Sequence, residues 1–326
     1  MKMKRYNIIF FTLALAMLFV TEMSNIVIDI HRVFGLFQVN TRNIHDNVRF
    51  RKIQHLNGHP EFNAFILGSS RTNMLSVDLA NQLSGQYYYN LAVGSESIEG
   101  MEKRLRWLVK NQDRVNQLII GLEYDVMFLC NDLPADTLYA KEHPEVSGER
   151  WTDFYFPYLF QVNLKEWRRT VKKRHEPLFY QLDLSTGQWA YPEYDRLIEE
   201  DPDQFANNRI GHDLACDPGE GRVKVNLERF RKLMNFVHES GIPTFIFNSP
   251  YNQVIYKTFD QALYQDWLRQ IKDIAGDFWD FSGETPVSKD NYLYYDSSHY
   301  RREVGDMILK TIFFDRPLQE DFGKKL

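Results

Sequence analysis

Cysteine is nearly absent from this chain: only Cys130 and Cys216 occur in 326 residues. They allow at most one disulfide, and two buried thiols fit equally well; their spacing does not suggest a metal site. Positive charge is also short. With 39 Lys and Arg against 44 Asp and Glu, the net charge is −5, which argues against a nucleic-acid backbone as the main partner. The local exception is "KEWRRTVKKRH", Lys165 to His175. It reads as a solvated helix face, with contact to an anionic glycan or lipid headgroup as the alternative. No low-complexity tract and no internal repeat is found, which sets aside disordered and solenoid classes.

One expected feature is missing at the N-terminus. "MKMKR" supplies a basic flank at Lys2, Lys4 and Arg5, and "IIFFTLALAMLFV" (Ile8 to Val20) follows without a charge. A small-x-small cleavage site should come next in a secretory signal peptide, but Thr21, Glu22, Met23 and Ser24 stand there. A helix from about Tyr6 to Ile28 is long enough to span a bilayer. An uncleaved signal anchor is therefore favoured over a cleaved peptide and over a buried helix. The positive-inside rule then puts residues 2–5 in the cytoplasm and the remainder outside it. The expected protein is single-pass in the cell membrane, with a periplasmic or extracellular C-terminal domain.

What is present is ordinary for a globular protein, at 44% hydrophobic and 25% charged residues, except for a high 15% aromatic content. Residues 1–30 read as the anchor. Residues 31–60, mixed and polar and ending in Gly58-His59-Pro60, read as a membrane-proximal stalk. From residue 61 the pattern alternates. "AFILG", "QYYYNLAVG" and "QLIIGLEYD" read as strands, separated by helical "SVDLANQLS" and "SIEGMEKRLRWLVKNQ". Alternation stops near Phe128 and resumes with the helix "NLERFRKLMNFVHESG", the strand "PTFIFNSP", the helix "TFDQALYQDWLRQIKDIAG", the short strand "DFWDFSG" and a last helix from Arg301. This predicts an α/β three-layer sandwich on a central parallel sheet over 61–326, with right-handed crossovers. Residues 127–225 form an insertion or cap, which holds both cysteines and the aromatics Trp151, Phe154, Tyr155, Phe156 and Tyr158.

Ligands of an open parallel sheet gather at the carboxyl ends of its strands. Three short motifs fall there. Gly68-Ser69-Ser70-Arg71 places hydroxyls and N–H groups between a strand and a helix, which suits a nucleophile or merely a helix cap. Asp296-Ser297-Ser298-His299 spaces a carboxylate to orient an imidazole, or caps the last helix. Asn90-Leu91-Ala92-Val93-Gly94 offers a glycine N–H to an oxyanion, or is a plain turn.

Along the chain the serine follows the first strand, the glycine follows the second and Asp-x-x-His precedes the last helix, and in that order the motifs resemble the SGNH (GDSL-like) hydrolase superfamily. The likeness is greatest to its membrane-anchored branch around alginate O-acetylation and teichoic-acid D-alanylation proteins. The resemblance covers about residues 62–125 and 226–314. It implies Ser70 as nucleophile, Asp296 and His299 as its orienting acid and base, and the N–H groups of Ser70 and Gly94 as oxyanion donors. Ser69 takes the place of the family aspartate in the first block. The third block, Gly-x-Asn-Asp, departs: this chain has Gly121-Leu122-Glu123-Tyr124-Asp125. An ionised Glu123 cannot donate where the family asparagine does. Either burial keeps it protonated, or it points away, or Asn248, Arg71 or Asn90 replaces it.

The expected activity is that of a serine esterase or O-acyltransferase on cell-envelope or exported polysaccharide, needing no metal or cofactor. The alternative is an inactive module that binds glycan or a membrane-bound acyltransferase.

Overall fold

The structure, a computed structural model, describes residues 2–37, 46–130, 133, 137–172, 175–176, 180–211, 221–319 and 321–326. Helix α1 (Lys2–Ile28) is followed by α2 (Val48–Leu56). The alternating half then runs β1 (Ala64–Leu67), α3 (Val77–Ser84), β2 (Tyr88–Asn90), α4 (Ile98–Asn111) and β3 (Gln117–Leu122). A π-helical turn, Tyr124–Leu129, ends it. The middle segment holds α5 (Pro144–Ser147), α6 (Trp151–Phe160), α7 (Leu164–Lys172), β4 (Gln181–Leu182), β5 (Trp189–Ala190), α8 (Pro192–Glu200) and α9 (Pro202–Arg209). Then come α10 (Arg222–Ser240), β6 (Thr244–Asn248), α11 (Gln253–Tyr256), α12 (Gln261–Ala275), β7 (Trp279–Asp280), α13 (Pro286–Lys289), α14 (Arg302–Phe314) and β8 (Lys324–Lys325).

The main sheet has the order β2-β1-β3-β6-β7-β8. Its first five strands are parallel, and β8 runs antiparallel to β7. Counted by sequence, the parallel strands lie 2-1-3-4-5, a doubly wound order whose switch point falls between β1 and β3. Side chains alternate between two cores, as a strand period of two requires. Phe65, Leu67, Leu118, Ile120 and Ile246 pack against α4, α10 and α12. Ala64, Ile66, Ile119 and Phe247 face α3 and α14. Local chemistry sets the helix ends. Ser76 and Ser97 accept the N–H of Leu79 and Gly100 at the starts of α3 and α4. Gly85 and Gly241 close α3 and α10 in the left-handed conformation.

Three features go beyond the sequence reading. The segment read as a stalk carries α2, whose Phe50, Ile53 and Leu56 are buried, a gain of roughly 1.5–3 kcal/mol for each fully buried side chain. Its polar look came from Arg49 and Lys52, which are also buried. The insertion contacts two distant places: α6 and α7 lie on the end of α1, whereas β5, α8 and α9 lie by the loop before α14. The edge strand β8 has no apolar run to announce it. Helix α1 contains a stretch, Tyr6–Ile28, long and apolar enough to cross a membrane. Cys130 is disulfide-bonded; Cys216 lies outside the described residues.

Candidate active site

Ser70 is placed by a tight turn at the carboxyl end of β1. Gly68 has φ +154°, and a Cβ there would stand 2.2 Å from Thr72 Oγ1. Only glycine fits. The chain then enters a 3-10 turn, Arg71–Met74, with Ser70 at its start. Gly121 on β3 serves the same wedge, since a Cβ there would meet Thr72 Oγ1 at 2.3 Å. Ser69 is fully buried and its hydroxyl faces the Glu123 carboxyl. Ser70 is half-buried, and its Oγ lies 2.8 Å from His299 Nε2.

His299 sits on a turn closed by the Tyr294–Tyr300 bridge and by a 2.8 Å bond from Tyr295 N to His299 O. Asp296 Oδ1 accepts the N–H groups of Ser298 at 2.8 Å and His299 at 2.7 Å. The same carboxylate lies 2.9 and 3.0 Å from His299 Nδ1. A carboxylate can only accept, so Nδ1 carries the proton and Nε2 is left to accept from Ser70. Burial pulls the imidazole pKa down, but the charge and hydrogen bond of Asp296 outweigh it, and the ring titrates above its ordinary value. Burial likewise works against the Asp296 carboxylate. The His299 charge and the hydrogen bonds nevertheless hold its pKa well below the usual carboxylate range.

Arg71 lies behind this pair, fully buried, and all its donors are engaged. Nε donates to Ser298 O at 2.7 Å and Nη2 to Ser298 Oγ at 2.7 Å. Nη1 and Nη2 grip the Asp125 carboxylate at 2.7 and 2.6 Å, and Nη1 also reaches Glu123 Oε2 at 3.0 Å. The Tyr251 ring lies 4.9 Å from the guanidinium carbon. Arg71 is thus no oxyanion donor; it positions the His299 turn against the Ser70 turn. Burial pushes Glu123 above its ordinary range, against the pull of Arg71. Burial also opposes ionisation of Asp125, but Arg71 outweighs it and holds Asp125 below. The remaining Glu123 oxygen, Oε1, is buried without a hydrogen-bond partner.

The other side-chain donors expected from the sequence are committed too. Asn248 spends both amide hydrogens, on Tyr264 at 2.7 Å and on Asp280 at 2.8 Å. Asn90 is buried; its Nδ2 braces Thr72 O at 3.2 Å and its Oδ1 takes the Ala92 N–H. Among the described residues, the backbone N–H groups of Ser70 and Gly94 donate to no protein acceptor.

The Gly94 turn has its own buried support, which the sequence did not disclose. Arg49 of α2 donates to Gly94 O at 3.2 Å and Ser95 O at 3.0 Å, and pairs with Glu142 at 2.7 Å. Arg104 shares Glu142 at 2.7 Å and pairs with Glu96. Lys52, also from α2, donates to Ala92 O and to Asn73 Oδ1 at 3.0 Å. Its amine is driven well below its ordinary pKa by burial, with Arg104 adding to the effect. Asp125 and Ser298 stand in the quoted motifs without an assigned role, and Arg49 and Lys52 lie in the segment read as a stalk. A second acid in "GLEYD" and the apolar spacing Phe50-Ile53-Leu56 were the available signals.

The insertion reaches this site through Arg209 and Gly211. Arg209 lies 3.8 Å from Asp296, and Gly211 N donates to Ser297 Oγ at 2.7 Å. A cavity of about 500 Å³ lies next to the site, lined by Met74, Trp189, Tyr191 and Tyr295 and by charged residues such as Asp195 and Arg301; Ser70, Asp296 and His299 do not line it. Tyr191 stands 4.8 Å from Tyr295, ring to ring. The aromatics around Trp151 instead pack on Phe50 and Val33, near the end of α1. No protein-family model and no curated protein matches the chain.

Proposed function

We propose that the chain is a membrane-anchored SGNH-like serine esterase or O-acyltransferase acting outside the cytoplasm on an acylated polysaccharide. One observation carries this reading: Ser70 Oγ, His299 Nε2 and the Asp296 carboxylate stand in hydrogen-bonding series at the switch point of a doubly wound sheet. His299 accepts the Ser70 proton as Oγ attacks the ester carbonyl. The Ser70 and Gly94 N–H groups receive the oxyanion. Collapse expels the alcohol, which takes the proton from His299, and leaves an acyl-serine. Water or a sugar hydroxyl then repeats the sequence in reverse. Asp296 stabilises the imidazolium between steps. The half-buried Trp189 and Tyr191 rings, with Trp189 beside Gly94, suit stacking on sugar faces.

A second reading rests on one observation as well. With Glu123 turned to Arg71, and Asn248 and Asn90 committed elsewhere, no expected side chain completes the oxyanion site. That favours a module that binds glycan or a membrane-bound acyltransferase without turnover.

The test is the full chain in detergent, given a chromogenic acetyl ester and a serine-reactive phosphonate. Turnover and labelling that fall by about 10⁶-fold and vanish, respectively, in Ser70→Ala support the enzyme. An unlabelled, inactive wild type that still retains glycan on an affinity column supports the module.

A further inference from the structure

The basic segment found in the sequence lies beside the membrane helix. Helix α6 runs against the end of α1, with Tyr155 stacked on Phe34 and Tyr158 edge-to-face with His31. Its last residues meet Asn25, whose Nδ2 donates to Leu159 O at 2.6 Å and Gln161 O at 2.8 Å. Trp167 of α7 returns a bond from Nε1 to Asn25 Oδ1 at 3.0 Å. The α6–α7 turn is therefore fixed at the level of Asn25, inside the apolar stretch Tyr6–Ile28.

Length then matters. The part of α1 that stands free, residues 6–20, is about 22 Å long at ~1.5 Å per residue. The hydrocarbon layer is roughly 30 Å thick. If α1 crosses a bilayer, the shortfall brings the α6–α7 turn down to the edge of the acyl chains. The side chains there fit that depth. Phe156, Val162 and Leu164 are 62%, 66% and 67% exposed. On α7, Lys165, Arg168, Arg169 and Lys172 are exposed and recur at the i, i+3, i+4, i+7 spacing of one face, with Leu164 and Val171 alongside. The acid on α7, Glu166, lies by Arg169 at 3.7 Å.

We infer that the α6–α7 turn is a second, interfacial membrane contact. Phe156, Val162 and Leu164 enter the outer acyl region, and the basic face of α7 meets anionic headgroups. The occupant of this surface is an anionic bilayer, by continuity with α1 and by charge. The inference rests on α1 crossing that bilayer, and the test separates the two.

Full-length protein is reconstituted into vesicles of phosphatidylcholine, with or without phosphatidylglycerol. An environment-sensitive fluorophore is attached, one site at a time, to Phe156→Cys, Val162→Cys and Leu164→Cys. Leu13→Cys reports the span, and Leu263→Cys on α12 reports an exposed site away from it. Quenching by nitroxide-labelled lipid is compared with quenching by an aqueous nickel chelate. Expected is lipid quenching at 156, 162 and 164 several-fold above that at 263. It should be stronger with phosphatidylglycerol and weakened there by Arg168→Glu with Lys172→Glu. Aqueous quenching at all three sites while Leu13 is lipid-quenched overturns the interfacial contact alone. Aqueous quenching at Leu13 overturns the span and the contact together. Lipid quenching indifferent to phosphatidylglycerol and to the charge reversal overturns the anionic bilayer as the partner.

Discussion

The candidate site has two sides, each a turn held by a buried arginine, and they are built differently. On the base side, Arg71 comes from the nucleophile turn itself and ties Ser298 to Asp125 and Glu123. The groups that Arg71 ties together lie at the end of β3 or on the loop before α14. On the oxyanion side, Arg49 and Lys52 reach in from α2, and the balancing carboxylate, Glu142, belongs to the insertion. The base side thus draws its catalytic and ion-pairing groups from the strand ends and the loop before α14, with Arg209 and Gly211 of the insertion touching it from outside. The oxyanion side depends on segments outside the sheet, including α2, the first described helix after α1.

Four substitutions would break or sharpen this contrast. The largest effect belongs to Asp296→Asn. Loss of the carboxylate misorients His299 and should lower kcat/KM for an acetyl ester about 10⁴-fold. Because Asp296 raises the His299 pKa, wild-type activity should fall as pH drops through that raised value. In the variant the acid limb of the pH profile should move to lower pH. An unmoved limb would remove Asp296 from the base side.

Arg71→Met comes next. It strands two buried carboxylates and should cost about 3–5 kcal/mol of stability, measured by urea unfolding. Arg49→Met should behave in the opposite manner. Glu142 keeps Arg104 as its partner, so the urea midpoint should move little. The loosened Gly94 turn should lower kcat about 10²-fold. Equal stability losses in the two variants would erase the contrast.

Glu123→Gln is the smallest change. The folded pKa of Glu123 is raised, so its protonated form favours the fold. That stability is complete below the unfolded value and is lost as pH rises through the folded one. Wild type should therefore be less stable than the Gln variant at high pH, with the gap closing on acidification. Unfolding curves across pH would show a constant gap if burial does not raise Glu123.

Much of the sheet was legible because its strands are short apolar runs between capped helices. The positions of Ser70, Asp296 and His299 were legible because each follows a strand or precedes a helix. The supports were not. Arg49 and Lys52 read as solvent-facing by composition, since lysine and arginine are rarely buried, and only their distant partners explain them. Asn248 sat at a strand end, as a donor should. Its commitment to Tyr264 and Asp280 arises from tertiary packing that no local pattern encodes. Trp151, Phe154 and Tyr155 stood out as aromatic in the sequence, but their seat under Phe50 of α2, near the end of α1, arises from tertiary packing.

The wedge of Thr72 between Gly68 and Gly121 bears on descent. A methyl group at either glycine would overlap the threonine hydroxyl. Position 121 can thus accept alanine only after position 72 shrinks and Phe247 shifts, so these sites are free to drift only in concert. Gly68, with its positive φ, stays glycine throughout. A glycine, a threonine four residues on, and a glycine on the neighbouring strand β3 form a fingerprint. Distant relatives should keep it after the surrounding residues have diverged.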